Sequence, residues 1–219
     1  MTRVILDPNA RSAAAGHIQL ERVPRPIRDT GVYPDISLLQ AGDLLLVSPI
    51  KPNLTARMIQ NVQGQVHRAD DAQWMHAALY LGDNAVIEID GGGVKVSLLF
   101  DYVLTHRMLF RRVLDQSGQG IPLTTGYKIA ISALKQFSRR YDYHGIVTTA
   151  FDCLWTQTKP PQLRAVRSKG SICSDFFNEA VFMTINRPAA PLERLPLQPA
   201  DLSASTLMVD IPVNWATLV

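Results

Sequence analysis

Alternation of apolar and polar positions is weak at both ends of the chain and strong in the middle. Residues 1–40 show no sustained period, and Val23-Pro24-Arg25-Pro26 and Tyr33-Pro34-Asp35 fix extended or turn backbone, so this stretch reads as an arm. After the turn signal Ala41-Gly42-Asp43, the run Leu44-Leu45-Leu46-Val47 has the unbroken apolarity of a buried strand and ends at Ser48-Pro49. A short helix is predicted over 54–62. Two strand-like runs, 74–81 and 85–90, are joined by Gly82-Asp83-Asn84 and read as a hairpin. Gly91-Gly92-Gly93 closes the second of them, and Ser97 is placed to cap a short helix over 98–104. A further strand is expected over 108–114, with Arg111-Arg112 breaking its alternation.

The helical period appears later. Thr124 or Thr125 can cap a helix with Tyr127, Ala130, Ile131, Leu134, Phe137 and Tyr141 on one face. Ser171 opens a second amphipathic helix that turns Ile172, Phe176, Phe177, Ala180, Val181 and Ile185 inward and stops at Arg187-Pro188. Residues 188–219, rich in Pro and Leu, read as an extension wrapping the surface. The order of elements predicts an α+β domain over 41–187 with a mainly antiparallel sheet packed against helices.

Composition narrows the function classes. The chain has 219 residues, 47% hydrophobic and 19% charged, which suits a folded domain with a substantial core. Its formal net charge is +3 and its arginines are scattered, so neither a nucleic-acid groove nor a nucleic-acid partner is expected. Two cysteines, Cys153 and Cys173, do not make a disulfide framework. Residues 1–20 lack the apolar core of a signal peptide, and no run approaches the roughly 20 apolar residues of a membrane span. The expectation is a protein that stays in the cytoplasm where it is made, unless a dedicated machine exports it. His17, His67 and His106 are isolated and no H-x-x-x-H spacing occurs, so no metal or other cofactor is expected.

A nucleophilic cysteine needs a thiolate-favouring site, a base within reach, and a group that orients the base. Cys173 falls in the first turn of the second helix, where unpaired N–H groups and the helix dipole favour an anion and could hold an oxyanion. The competing reading, a cysteine packed as a small hydrophobe, applies equally to Cys173 and alone to Cys153, which lies among Phe151, Leu154 and Trp155. Period-two alternation puts His76, Ala78 and Tyr80 on one strand face, and Val86, Glu88 and Asp90 on one face of the return strand. If Tyr80 pairs with Asn84, Glu88 lies opposite His76. If Leu81 pairs with Ala85, Asp90 is opposite and Glu88 diagonal. Either carboxylate could orient the imidazole. Trp74 and Tyr80 are candidate substrate contacts, although Trp74 fits packing better. Asp142 and His144 lie in a Tyr-Asp-Tyr-His run that more often forms a turn.

Taken in order, Gly42-Asp43-Leu44, Trp74 to Asn84 with Glu88 beyond, Tyr141-Asp142-Tyr143 and Ile172-Cys173-Ser174-Asp175 resemble the permuted NlpC/P60 hydrolases, a papain-like group that includes YiiX/YebB-like proteins and relatives of lecithin:retinol acyltransferase. In that group the histidine strands precede the cysteine helix, as here. The resemblance covers roughly 41–187. It implies Cys173 as nucleophile, His76 as base and Glu88 as the third, polar member. Trp74, Tyr80, Asp90, Tyr143 and Ser174 are the candidate substrate contacts. Asp175 stands where many relatives carry glutamate, and the basic stretch 156–169 has no counterpart.

The implied activity is a cysteine hydrolase that passes through a thioester on Cys173. A peptide amide, including that of cell-wall peptide, is the first substrate class, and a lipid or other acyl ester the second. A cell-wall target would require export without a cleaved signal, as for an antibacterial effector, for which a protein inhibitor is the natural partner. A non-catalytic binding module of the same fold is the rival from another class.

Overall fold

The computed structural model describes residues 3–137, 140–141, 170–171, 173–191 and 196–219. Tyr143, Asp142, His144, Cys153, Ile172 and the stretch 156–169 lie outside them. In chain order the first elements are β1 (His17–Ile18), α1 (Arg25–Thr30), β2 (Val32–Pro34), β3 (Leu44–Pro49), α2 (Leu54–Gly64) and α3 (Ala69–Ala72). The central block follows: β4 (His76–Gly82), β5 (Ala85–Asp90), β6 (Gly93–Leu98), α4 (Phe100–Val103) and β7 (His106–Val113). Last come α5 (Leu123–Leu134), β8 (Arg140–Tyr141), β9 (Gly170–Ser171), α6 (Cys173–Ile185), α7 (Pro199–Ala204), β10 (Met208–Asp210) and β11 (Trp215–Leu218). The fold is α+β, with antiparallel sheet packed against helices.

One antiparallel sheet of six strands, in the order β10-β7-β3-β4-β5-β6, organises the molecule. The all-apolar run Leu44–Val47 forms its central strand β3, wholly buried because side chains on both faces are covered. On one face Leu44, Leu46, Ala77, Leu79, Ile87 and Leu109 meet α5 and α6. On the other, Leu45, Val47, Ala78, Val86, Met108 and Phe110 meet α4 and the two chain ends. Helix α5 comes very close to the start of β3. A Cβ at Gly126 would stand 2.0 Å from the Ala41 carbonyl oxygen, and one at Gly42, whose φ is +91°, would stand 2.7 Å from Gly126 Cα. Two glycines are therefore required here by contact.

That close approach decides which side of α5 faces in. Gly126, Ile129, Ala130 and Ala133 are buried, whereas Tyr127, Ile131, Leu134 and Phe137 stay exposed. The apolar stripe expected from the sequence is thus mostly not the core stripe, because only the small-residue side fits against the sheet. The helix is preceded by Pro122 without a side-chain cap, so Thr124 and Thr125 lie inside it. Helix α6 follows its expected pattern, with Phe176, Phe177, Ala180 and Val181 fully buried.

Three further corrections concern the segment after the hairpin and the ends. Gly91 to Gly93 does not end the sheet: residues 93–98 return as β6, pairing with β5 from Asp90–Gly93 to Ala85–Leu98, so Ser97 is a strand residue and not a helix cap. Residues 188–219 do not merely wrap the outside, since β10 is the edge strand of the main sheet, paired with β7, and the domain therefore runs past residue 187. The N-terminal arm and the C-terminus build a second, three-stranded sheet together, β1-β11-β2. Salt bridges hold these ends on: Arg111 Nε donates to Asp210 at 2.6 Å, and Arg3 joins Asp71 and Asp210.

Candidate active site

The site forms where β4 and β5 part. The β4–β5 ladder is registered through Tyr80–Val86 and Leu79–Ile87 and stops there, while β5–β6 continues to Asp90–Gly93 and β3–β4 continues to Val47–His76. The first residues of β4 therefore have no registered β5 partner among the described residues. Into that opening comes the first residue of α6, Cys173, whose sulfur faces the Ala77 backbone N–H. A side chain from the helical face thus reaches a histidine on the opposite face of the sheet.

The Cys173 thiol and the His76 imidazole face each other, and each shifts the ionisation of the other. His76 Nε2 donates to Glu88 Oε2 at 2.5 Å, which leaves Nδ1 as the ring nitrogen available to the thiol. Extending the Leu79–Ile87 register would place Asp90 beside His76 and Glu88 one diagonal step away, so the partner is the diagonal carboxylate. Asp90 instead pairs with Lys95 at 2.7 Å at the exposed rim. The Glu88 carboxylate is buried and surrounded by donors: Ser97 Oγ to Oε1 at 2.5 Å, the Tyr102 hydroxyl to Oε2, and Lys95 Nζ 3.6 Å from Oε1. Behind Tyr102, the His106 ring stacks edge-on at 5.2 Å between centroids.

Electrostatics follow from these contacts. Burial disfavours the imidazolium of His76, but the facing Cys173 sulfur and the Glu88 carboxylate outweigh it and hold its pKa up at about 10. For Glu88, burial pushes upward while the bonds from His76, Ser97 and Tyr102 bring it down to about 2. Burial likewise raises the Cys173 thiol, yet His76, the Ala77 N–H and Ser174 Oγ, 3.9 Å from the sulfur, leave it lowered. His106 is shifted down by burial first and by the neighbouring His76 charge second. The arrangement favours a thiolate facing an imidazolium, with a helix N-terminus beneath the sulfur.

Of the residues named from sequence, the structure brings Cys173, His76, Glu88 and Ser174 together. Trp74 is fully buried in the core under the helices, and Tyr80 is 3% exposed in the core on the other face, so neither can touch a substrate here. Asp90 sits at the rim through Lys95. Ser97, Tyr102, Lys95 and His106 were not singled out for the site by sequence reasoning. The signal for Lys95 and Ser97 was the alternation of Val94-Lys95-Val96-Ser97 after a glycine turn, which marks a third meander strand with both on one face. Asp43 of the Gly-Asp-Leu motif is structural: it is fully buried and takes a bidentate pair from Arg112, with both N–O distances 2.7 Å.

No protein-family model and no curated protein matches the chain. Among solved structures, a crystal structure of the metalloprotein yiiX from Escherichia coli O157:H7, a DUF1105 protein, superposes with a TM-score of 0.56 at 14% identity, covering 78% of this chain and 96% of that one. Among the described residues, no group of three or more His, Cys, Asp or Glu side chains could hold a metal ion, and both oxygens of Glu88 are already committed to protein donors. What the superposition shows is the architecture: this chain has a YiiX-like fold.

Proposed function

We propose that this protein is a cysteine hydrolase of permuted papain-like type that cleaves an amide bond through a thioester on Cys173. The observation that supports it is the linear set Cys173–His76–Glu88, with the thiol at a helix N-terminus and His76 held 2.5 Å from a buried carboxylate. The Cys173 thiolate attacks the substrate carbonyl carbon and forms a C–S bond. The oxyanion develops near the first N–H groups of α6. As the tetrahedral intermediate collapses the C–N bond breaks, and His76 passes its proton to the leaving amine. Neutral His76 then takes a proton from water, whose oxygen attacks the thioester, and the carboxylic acid leaves as the thiolate is restored.

Peptide amide is favoured over lipid because, among the described residues, the candidate apolar side chains Leu54, Trp74 and Phe100 do not line one groove. Leu54 is exposed on α2, Trp74 lies in the core, and Phe100 stacks on Tyr33 across the sheet. The rim instead carries the charged pair Asp90–Lys95. One observation favours an acyl-ester reading: Tyr127, Ile131 and Leu134 on α5, Phe137 just after it, and Phe182 and Met183 on α6 expose apolar surface. A panel of fluorogenic peptide amides and acyl esters, run with the parent and with Cys173→Ala, separates the readings. Amide cleavage lost in the variant supports the proposal. Cleavage of esters alone replaces the substrate class, and activity that survives Cys173→Ala defeats the nucleophile.

A further inference from the structure

We infer that Ser97 and Tyr102 are positioning residues that hold the Glu88 carboxylate ionised and in one orientation against His76. The inference rests on the reading of Cys173 and His76 as nucleophile and base. Glu88 is 2% exposed, and a carboxylate removed from water protonates unless donors replace the water. A protonated Glu88 would have an O–H to donate and would no longer neutralise the imidazolium. The structure supplies the donors from one short stretch. Lys95 faces Glu88 directly across β5–β6, Ser97 lies two residues on along the same strand face, and Tyr102 follows in α4.

The two hydroxyls, and not the lysine, carry the effect. Lys95 Nζ is 2.7 Å from Asp90 and 3.6 Å from Glu88, so its charge is largely taken by the rim aspartate. Ser97 Oγ and the Tyr102 hydroxyl each reach a different oxygen of Glu88, which fixes the plane of the carboxylate as well as its charge. The other titratable groups around Glu88 are His76 on β4, Asp90 on β5, Asp101 on α4, His106 on β7 and Cys173 on α6. None of Asp90, Asp101 and His106 donates a hydrogen bond to Glu88 among the described contacts. Removing either hydroxyl therefore lets Glu88 take up a proton at higher pH, and the thiolate is lost at higher pH with it.

The test uses the full chain with Cys153→Ser, so that a single thiol is read. Iodoacetamide alkylation is followed against pH in this parent and in Ser97→Ala, Tyr102→Phe and Ser97→Thr, alongside the 1H NMR resonance of the His76 Nε2 proton and thermal unfolding. The expected result is an acid limb moved up by about one pH unit in Ser97→Ala and in Tyr102→Phe, a displaced His76 resonance in both, and restoration by Ser97→Thr. Ser97 is on an edge strand and half-buried, so Ser97→Ala decides the matter if Tyr102→Phe fails to fold. A parent with a low-pH thiolate whose acid limb coincides with those of folded variants overturns the inference and leaves the nucleophile reading intact. A parent thiol that titrates near its ordinary value of about 8.5 overturns both.

Discussion

Two buried charge clusters on this sheet look alike by burial and differ in closure. Next to one edge, Arg111 uses four of its five N–H donors: Nε donates to Asp210, Nη1 to the carbonyls of Leu202 and Ser203 at 2.6 and 2.7 Å, and Nη2 to that of Met208 at 3.0 Å. Every partner is protein, and the cluster ties the C-terminal segment to β7. Around Glu88 both carboxylate oxygens likewise accept from protein donors, but the chain of bonds does not end there. It runs through His76, whose side chain remains 22% exposed, to a thiol at a parted strand. Both clusters perturb ionisation, so a shifted pKa does not by itself mark a site. What distinguishes the second is a nucleophilic atom at its open end.

The largest effect expected is on the open cluster. Cys173→Ala should remove hydrolysis, and His76→Ala should lower it by at least about a thousandfold, measured as initial rates on the best fluorogenic substrate. Both should retain the circular dichroism of the parent. In the closed cluster the balance reverses. Arg111→Ala leaves Asp210 half-paired and several carbonyls without donors, and should cost about 3 kcal/mol in urea unfolding without moving the acid limb of Cys173 alkylation. If that limb moves, the two clusters are not independent.

Glu88→Gln sharpens the comparison next. It keeps the shape and removes the charge, so the raised pKa of His76 should fall from about 10, and the pH range in which thiolate and imidazolium coexist should narrow from both sides. The sign for stability follows from the same shifts. Glu88 is ionised more easily in the folded chain, with its pKa lowered from 4.5 to about 2, so its contribution is present above 4.5 and is lost as pH falls through about 2. His76 is raised from 6.5 to about 10, so its contribution is full below 6.5 and is lost as pH rises through about 10. Unfolding of the parent and of Glu88→Gln, compared at acid and neutral pH, should converge at the acid end. The smallest effect is expected for Asp90→Asn at the rim, a shift in the acid limb below about half a pH unit.

Much of this was legible in the sequence for physical reasons that can be named. The unbroken apolar run at Leu44–Val47 announced a strand covered on both faces, and the helical stripe of Phe176, Phe177, Ala180 and Val181 announced the helix that carries Cys173. The partnership of His76 with a carboxylate was open between Glu88 and Asp90, because it depends on hairpin register. Register here is set by an irregularity between Tyr80 and Gly82, which alternation alone does not reveal. Gly91-Gly92-Gly93 reads as a strand terminus in the sequence but is a turn into β6, and the Glu88 neighbours Lys95 and Ser97 are hidden with that strand. The buried side of α5 was misjudged for a different reason. Close contact between Gly126 and Gly42 is a tertiary constraint, and it overrode the more apolar stripe of the same helix.

The most direct test of the central claim is the rate of Cys173 alkylation against pH in the Cys153→Ser chain, with and without His76→Ala. The account predicts rapid reaction well below the ordinary thiol pKa of about 8.5 in the parent, and a return to that ordinary value in His76→Ala. A parent that reacts only as the ordinary thiol does, or whose profile is unchanged by His76→Ala, would contradict the thiolate–imidazolium pair and leave the fold to a non-catalytic role.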